Sequence, residues 1–280
     1  MTDRLFDNHN HSQFSFDGKK TTIERSAVSA KAAGLSGICF TDHCDFYVPP
    51  MKAAFEHLVP ETFDTDAQQK EIDRVNGEHG WTVAPEGFHI YKGVEIGLQK
   101  KCREQIREYL SAHNFDQIIA SVHYLDDTDP FYGGYYEGKD WKRAYGHYLE
   151  TLYEEMKWLE DFDIMGHFDY VARYAPYPQA SILYRDFSDI FDEMLKFLAQ
   201  NGKAIEINTK TYRDYKGRTP VLDKDILLRF KDLGGEAISL GSDSHDPGRP
   251  GDRFKEFAEL ADSLGFSRLA HFENRRLILE

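Results

Sequence analysis

The chain has 280 residues, long enough for one well-buried core, and 41% of them are hydrophobic, an ordinary composition for a globular enzyme. Its formal net charge of −14 steers it away from polyanions such as DNA or RNA, although a small phosphate can still bind where metal ions dominate the local field. The opening MTDRLFDNHNH is charged rather than apolar, and no run approaches the roughly 18 apolar residues of a spanning helix, so neither a signal peptide nor a membrane partner is expected.

In chain order, seven short apolar runs read as strands and seven amphipathic stretches as helices. The first strand, Leu5–Asn10, runs into His9-Asn10-His11, with Asp17 following in HNHSQFSFDG. Residues i and i+2 of a strand point to one side, so His9 and His11 can grip one ion; two surface histidines near a terminus are the plain alternative. A helix near 22–34 precedes the strand Gly37–Thr41, which ends in Thr41-Asp42-His43. His43 is there either a ligand or a hydrogen-bonded polar residue, and Asp42 either orients a histidine or caps the turn. A helix near 66–79 leads to the strand Ile90–Glu95, within Gly93-Val94-Glu95-Ile96-Gly97. A glutamate in an apolar strand is costly to bury unless it is paired or bound to metal, and its flanking glycines permit close approach; a strand-edge Glu facing water is the alternative.

Next come a helix near 101–113 and the strand Gln117–Val122, tipped by His123. Residues 124–140, rich in Gly, Asp and Tyr, read as a long loop, either a functional lid or plain surface. A helix near 141–160 is followed by the strand Asp163–Gly166, tipped by His167. Near 184–201 a helix places Phe187, Ile190, Phe191, Met194, Leu195 and Leu198 on one face. The strand Ala204–Asn208, a helix near 222–233, the strand Ala237–Gly241 and a helix near 252–264 complete the series. The last strand runs into Gly241-Ser242-Asp243-Ser244-His245, which repeats the i, i+2 pattern with one carboxylate and one imidazole. Gly34, Gly202 and Gly234 fall where helix C-caps are expected.

Strand–helix alternation implies a parallel sheet with helices outside it. Seven units predict one α/β domain over 1–280, folded as a closed barrel, with a doubly wound open sheet as the alternative. No GxGxxG or GxxxxGK[ST] follows a strand, which argues against a nucleotide-binding fold. Each motif sits at the C-terminal end of its strand, the rim where αβ barrels build active sites. Six of the twelve histidines (His9, His11, His43, His123, His167 and His245) fall on these rims. The others (His57, His79, His89, His113, His147 and His271) fall mostly on helices or loops. Imidazoles and carboxylates suit zinc, iron or manganese. The three cysteines, Cys39, Cys44 and Cys102, form no CxxC, and reduced thiols in a cytoplasmic protein are expected.

The ordered set HNH, TDH, GVEIG, SVH, MGH and GSDSH resembles the motif series of the PHP (polymerase and histidinol-phosphatase) superfamily, from residue 9 to residue 245. HFDYVARY at 167–174, EIN at 206–208 and FKDLGGEAISLGSDSH at 230–245 are similar to its histidinol-phosphatase branch. After EIN, the segment Thr209-Lys210-Thr211-Tyr212-Arg213 is bulkier than that branch usually carries. The resemblance implies a distorted, TIM-like seven-stranded (β/α)7 barrel and three divalent metal ions (Zn, Fe or Mn). By motif position, His9, His11, Glu95 and Asp243 would hold the first, Glu95 with His123 and His167 the second, and Asp17, His43 and His245 the third. The implied activity is hydrolysis of a small phosphorylated substrate, L-histidinol phosphate, to L-histidinol and phosphate in histidine biosynthesis. A PHP phosphoesterase for another phosphomonoester or nucleotide, and a non-catalytic metal-binding PHP module, are the alternatives. Arg173 and Arg213 are expected to clamp the phosphate, with Lys210 and Arg249 in reserve. Asp243 or a water would protonate the leaving group. Phe14, Asp45, Tyr124 and Asp169 are candidates to receive the ammonium and imidazole groups.

Overall fold

The computed structural model describes residues 4–18, 20–47, 62–83 and 87–280; His57 lies outside them. Nine strands form one sheet in sequence order: β1 Phe6–Asn10, β2 Gly37–Cys44, β3 His89–Gly97, β4 Gln117–Ser121, β5 Ile164–Met165, β6 Ala204–Asn208, β7 Ile238–Gly241, β8 Ala270–Glu273 and β9 Arg276–Leu279. Every neighbouring pair is parallel except β8–β9. The helices are α1 Ile23–Ala32, α2 Thr65–His79, α3 Arg103–Ala112, α4 Trp141–Leu159, α5 Tyr170–Tyr174, α6 Ser188–Gln200, α7 Lys224–Asp232 and α8 Phe254–Ser263. The expected seven-stranded barrel is corrected to a curled, mostly parallel nine-stranded sheet. The two additional strands form a hairpin in FENRRLILE and its approach, where no intervening helix marks a strand–helix unit.

The main core lies between the sheet and the surrounding helices. Ile38, Phe40, Val94, Ile96, Ile118, Ile205, Ile207 and Leu240 of the strands belong to one buried cluster with Phe191, Met194, Leu195 and Leu198 of α6. Phe187 and Ile190, expected on the same face, are half-buried at its edge. Removal of this apolar surface from water is the principal stabilisation. Side-chain caps fix helix starts: Thr22 accepts from Arg25 N, Asp140 from Arg143 N, and Asp223 from Asp225 N.

The sheet curls until the ends of β1 and β7 meet. Asp243 N–H donates to His9 O (2.8 Å) and His11 N–H donates to Ser244 O (3.0 Å). This junction brings the chain's first and last rim motifs together. The hairpin continues past β7, and Asn8 Nδ2 on β1 donates to the carbonyls of both Leu240 and Ala270. Segment 124–140 is packed rather than loose. It contains two single turns of 3-10 helix, Pro130–Tyr132 and Gly134–Tyr136, and the buried Tyr135 and Tyr136 donate to Ala144 O and Val171 O.

Candidate metal centre

Parallel register does much of the assembly. His43 on β2 is the direct neighbour of Glu95 on β3, so the two side chains rise together. The Glu95 carboxylate stands at the middle of the rim, fully buried. Its Oε2 lies 3.2 Å from His9 Nε2, 3.5 Å from His11 Nε2 and 2.9 Å from His43 Nδ1. Its Oε1 lies 3.1 Å from His123 Nε2 and 2.8 Å from His167 Nε2. Asp243 Oδ1 lies 3.5 Å from both His11 Nε2 and His245 Nδ1. Asp17, in the turn after β1, approaches His245 Nε2 at 2.8 Å and His43 Nε2 at 3.7 Å.

These groups fit divalent cations. His9 Nε2, His11 Nε2, His43 Nδ1, His245 Nε2 and Glu95 Oε2 are buried and make no hydrogen bond among the described residues. Orphaned buried polar atoms are expensive, and here they converge. Three sets present ligand atoms within 4.8 Å of one another: His9, His11 and Glu95; His43, Glu95 and His123; and His11, Asp17, His43 and His245. None of the three repeats the motif-based grouping: Asp243 is absent from the first, His43 replaces His167 in the second because it stands between Glu95 and Asp17, and His11 joins the third. His11 stacks on His43 and on His245, each at 4.1 Å between ring centroids. Burial, His245 and His43 push its pKa well down, whereas against burial the neighbouring carboxylates push those of His9, His43 and His123 up. Burial opposes charge on Glu95, yet His9, His123 and His43 hold it well below the usual carboxylate range. Asp243 is likewise held down against burial, chiefly by Lys210.

Behind the rim, a layer of acceptors orients the histidines. Glu206 on β6 takes the Nδ1 of His9 at 2.7 Å and accepts the backbone N–H of His167 at 2.6 Å. A Cβ at Gly241 would overlap the Glu206 carboxylate. Asp45, considered above for the substrate, instead faces His123 Nδ1 with both oxygens, at 3.3 and 3.2 Å. A Cβ at Gly97 would overlap that carboxylate, so the second glycine of GVEIG makes room for it. Asp42 accepts from Ser12 N, Ser12 Oγ and Gln68 Nε2 (2.6, 2.7 and 2.7 Å) and pins the turn that carries His11 toward Asp17. Glu206 was not singled out from the sequence, although it carries the signal that marked Glu95: one acid in an apolar strand.

Above the metal group opens a cavity of about 400 Å³, lined in part by Asp17, His43, His123, His167, Asp243 and His245. Arg173 and Lys210 line it too. Arg173 Nη1 lies 3.8 Å and Lys210 Nζ 2.8 Å from the Asp243 carboxylate. Tyr124 also faces the cavity. Arg213 does not; it pairs with Asp252 at 2.6 Å in a neighbouring depression that it shares with Arg249. Phe14 packs against the core, and Asp169 is buried, accepting from Tyr212 Oη at 2.5 Å.

A model of the PHP domain matches residues 7–210. The histidinol-phosphatase of Lactococcus lactis is 35% identical over 98% of this chain and 96% of its own. A protein of Clostridium acetobutylicum named probable histidinol-phosphatase is 30% identical over 97% of this chain and 98% of its own. The crystal structure of the Lactococcus lactis histidinol phosphate phosphatase, complexed with zinc, L-histidinol and phosphate, superposes with a TM-score of 0.86 at 32% identity, covering 98% of this chain and 99% of that one.

Proposed function

The chain belongs to the PHP domain family, and from that premise we propose that it is a metal-dependent histidinol-phosphatase, hydrolysing L-histidinol phosphate to L-histidinol and phosphate in histidine biosynthesis. The observation that carries this reading is the convergence of orphaned imidazole and carboxylate atoms around Glu95 and Asp17, beside a cavity that His43, His123, His167 and His245 help to line, in a chain alike over nearly its full length to a histidinol-phosphatase. We read residues 1–280 as one domain, acting in the cytoplasm; no helix among the described residues is long and apolar enough to cross a membrane.

In this reading His9, His11, Glu95 and Asp243 would hold a first ion, Glu95, His123 and His167 a second, and Asp17, His43 and His245 a third; His11 and His43 each fall in two of the converging groups. Bound divalent ions supply Lewis acidity to phosphoryl oxygens and lower the pKa of water toward about 7. The protein's own part is to fix and neutralise the phosphate. Arg173 and Lys210, both in the cavity wall, bring positive charge to it, and the guanidinium suits two phosphate oxygens at once. Arg213, expected to share the clamp, is instead held by Asp252 outside the cavity. The departing alcohol needs a proton, and the Lys210–Asp243 contact of 2.8 Å is the proton-bearing pair that we assign to this step.

The test is phosphate release from histidinol phosphate beside sugar phosphates and nucleotides, with bound metal quantified on the same preparation. Strong preference for histidinol phosphate with two or three ions bound is expected. Activity confined to other phosphoesters would overturn the substrate, and a full metal complement without activity would overturn the enzyme.

A further inference from the structure

The cavity has two unlike walls. One is the metal group with Arg173 and Lys210. The other is supplied largely by the segment after β4 and by α5, and it is aromatic: Tyr124, Phe131, Tyr132, Tyr170, Tyr174 and Tyr215. Tyr174 is its hub. It meets Phe131, Tyr170 and Tyr215 edge-on, at centroid separations of 5.2, 5.1 and 5.1 Å.

Set into this wall is one carboxylate, Asp129. The Phe131 N–H and the Tyr170 hydroxyl both donate to its Oδ1, at 2.8 and 2.9 Å. Both of these bonds fall on the same oxygen. The cations nearby have other partners: Arg173 faces Asp243 and lies over the Tyr174 ring at 5.1 Å, Lys210 faces Asp243, and His123, whose charge reaches Asp129 only at a distance, faces Asp45 and Glu95. No ion pair joins Asp129 to a cation among the described residues. Burial pushes its carboxyl up to about 6. Asp129 is half-buried in the cavity wall; a carboxylate partly withdrawn from water with no ion pair is disfavoured, and a ligand bringing a cation would offset that cost. Aromatic faces around it would attract the same cation.

We propose that Asp129 and the tyrosine wall are the specificity-determining element of the cavity, selecting phosphomonoesters that carry a protonated nitrogen, with Asp129 as its counter-charge. The proposal rests on the histidinol-phosphatase reading, because histidinol phosphate carries an ammonium and an imidazole beyond its phosphate. Sugar phosphates and simple alkyl or aryl phosphates offer no such cation, and they leave the Asp129 carboxylate unpaired.

The experiment compares metal-loaded wild-type enzyme with Asp129→Asn on histidinol phosphate and on phenyl phosphate. Asparagine keeps an oxygen for the Phe131 N–H and the Tyr170 hydroxyl, removes the charge and puts an amide NH2 in place of the second oxygen. The ratio of kcat/KM for histidinol phosphate over phenyl phosphate is expected to fall about 10- to 100-fold, the worth of a hydrogen bond to a charged group. Tyr174→Leu leaves the bonds to Asp129 in place and is expected to lower the same ratio about threefold or more by thinning the wall. An unchanged ratio in both variants, even with both rates reduced, would overturn the proposal and leave Asp129 a loop-shaping residue. If the wild-type enzyme itself shows no preference for histidinol phosphate over phenyl phosphate, the functional reading falls, and the proposal with it; that failure needs no variant to be seen.

Discussion

Glu95 serves five histidines with two oxygens, but Glu206 has the more delicate task. It fixes the ring of His9 through Nδ1, and with it the nitrogen turned toward the metal group. A histidine so oriented is a stronger ligand, and loss of such a partner typically costs 10- to 100-fold in metal affinity. Glu206→Gln keeps an acceptor for the His167 N–H, so the fold should survive while affinity for the ion at His9 drops by about that factor. Dialysis against graded chelator, followed by metal analysis, measures it; retention of wild-type occupancy throughout would reject the role. His123→Ala removes a ligand outright and should cut turnover sharply together with metal content. Near wild-type turnover with every ion present would remove His123 from the ligand set.

At the scale of elements, the rim was legible because burial and polarity clash there. Strands buried on both faces read as apolar runs, and His or Glu at their tips stands out against them. Six motifs were found this way. Glu206 obeys the same rule but lies inside EIN rather than at a strand tip with a second ligand, so its sequence marks the family branch and not its role behind His9. Asp129 sits in a segment whose composition resembles any polar loop, and its meaning comes only from the tyrosines that surround it. Arg213 illustrates the opposite limit: its sequence position suits a clamp, but Asp252 draws it aside. The hairpin β8–β9 was missed because charges interrupt its short strands. It is nevertheless anchored, since His271 on β8 stacks on Phe6 of β1 at 3.7 Å and is only 3% exposed. Burial, and then Arg4, push its pKa down to about 4. The unfolded chain takes up that proton near the ordinary value of about 6.5. This contribution to stability is therefore complete above about 6.5 and is lost as pH falls toward 4, by up to about 3 kcal/mol. His271→Phe keeps the stack and removes the titration, so its Tm should fall less steeply than wild type between pH 6.5 and 4.5. Parallel declines would show that other groups carry the acid sensitivity.

Across the whole molecule, the metal group replaces apolar packing at the top of the curled sheet. Ligand side chains from β1, β2, β3 and the segments after β4, β5 and β7 meet there, and without cations their orphaned atoms oppose folding. Binding to the folded state alone stabilises by RT ln(1 + [L]/Kd), about 4 kcal/mol at a thousandfold excess over Kd. Chelation should therefore lower the Tm by several degrees, and returning zinc should restore it. A melting curve indifferent to chelator, with the metal verified as removed, would contradict a ligand role for these residues. The junction of β1 with β7 has a further meaning for synthesis. His9 and His11 are made well before their partners Asp243 and His245, which lie far along the chain. Until β7 is made, His9 and His11 stand beside a sheet that has no closing strand, so a chain arrested before β7 lacks the residues needed to hold the full ion complement.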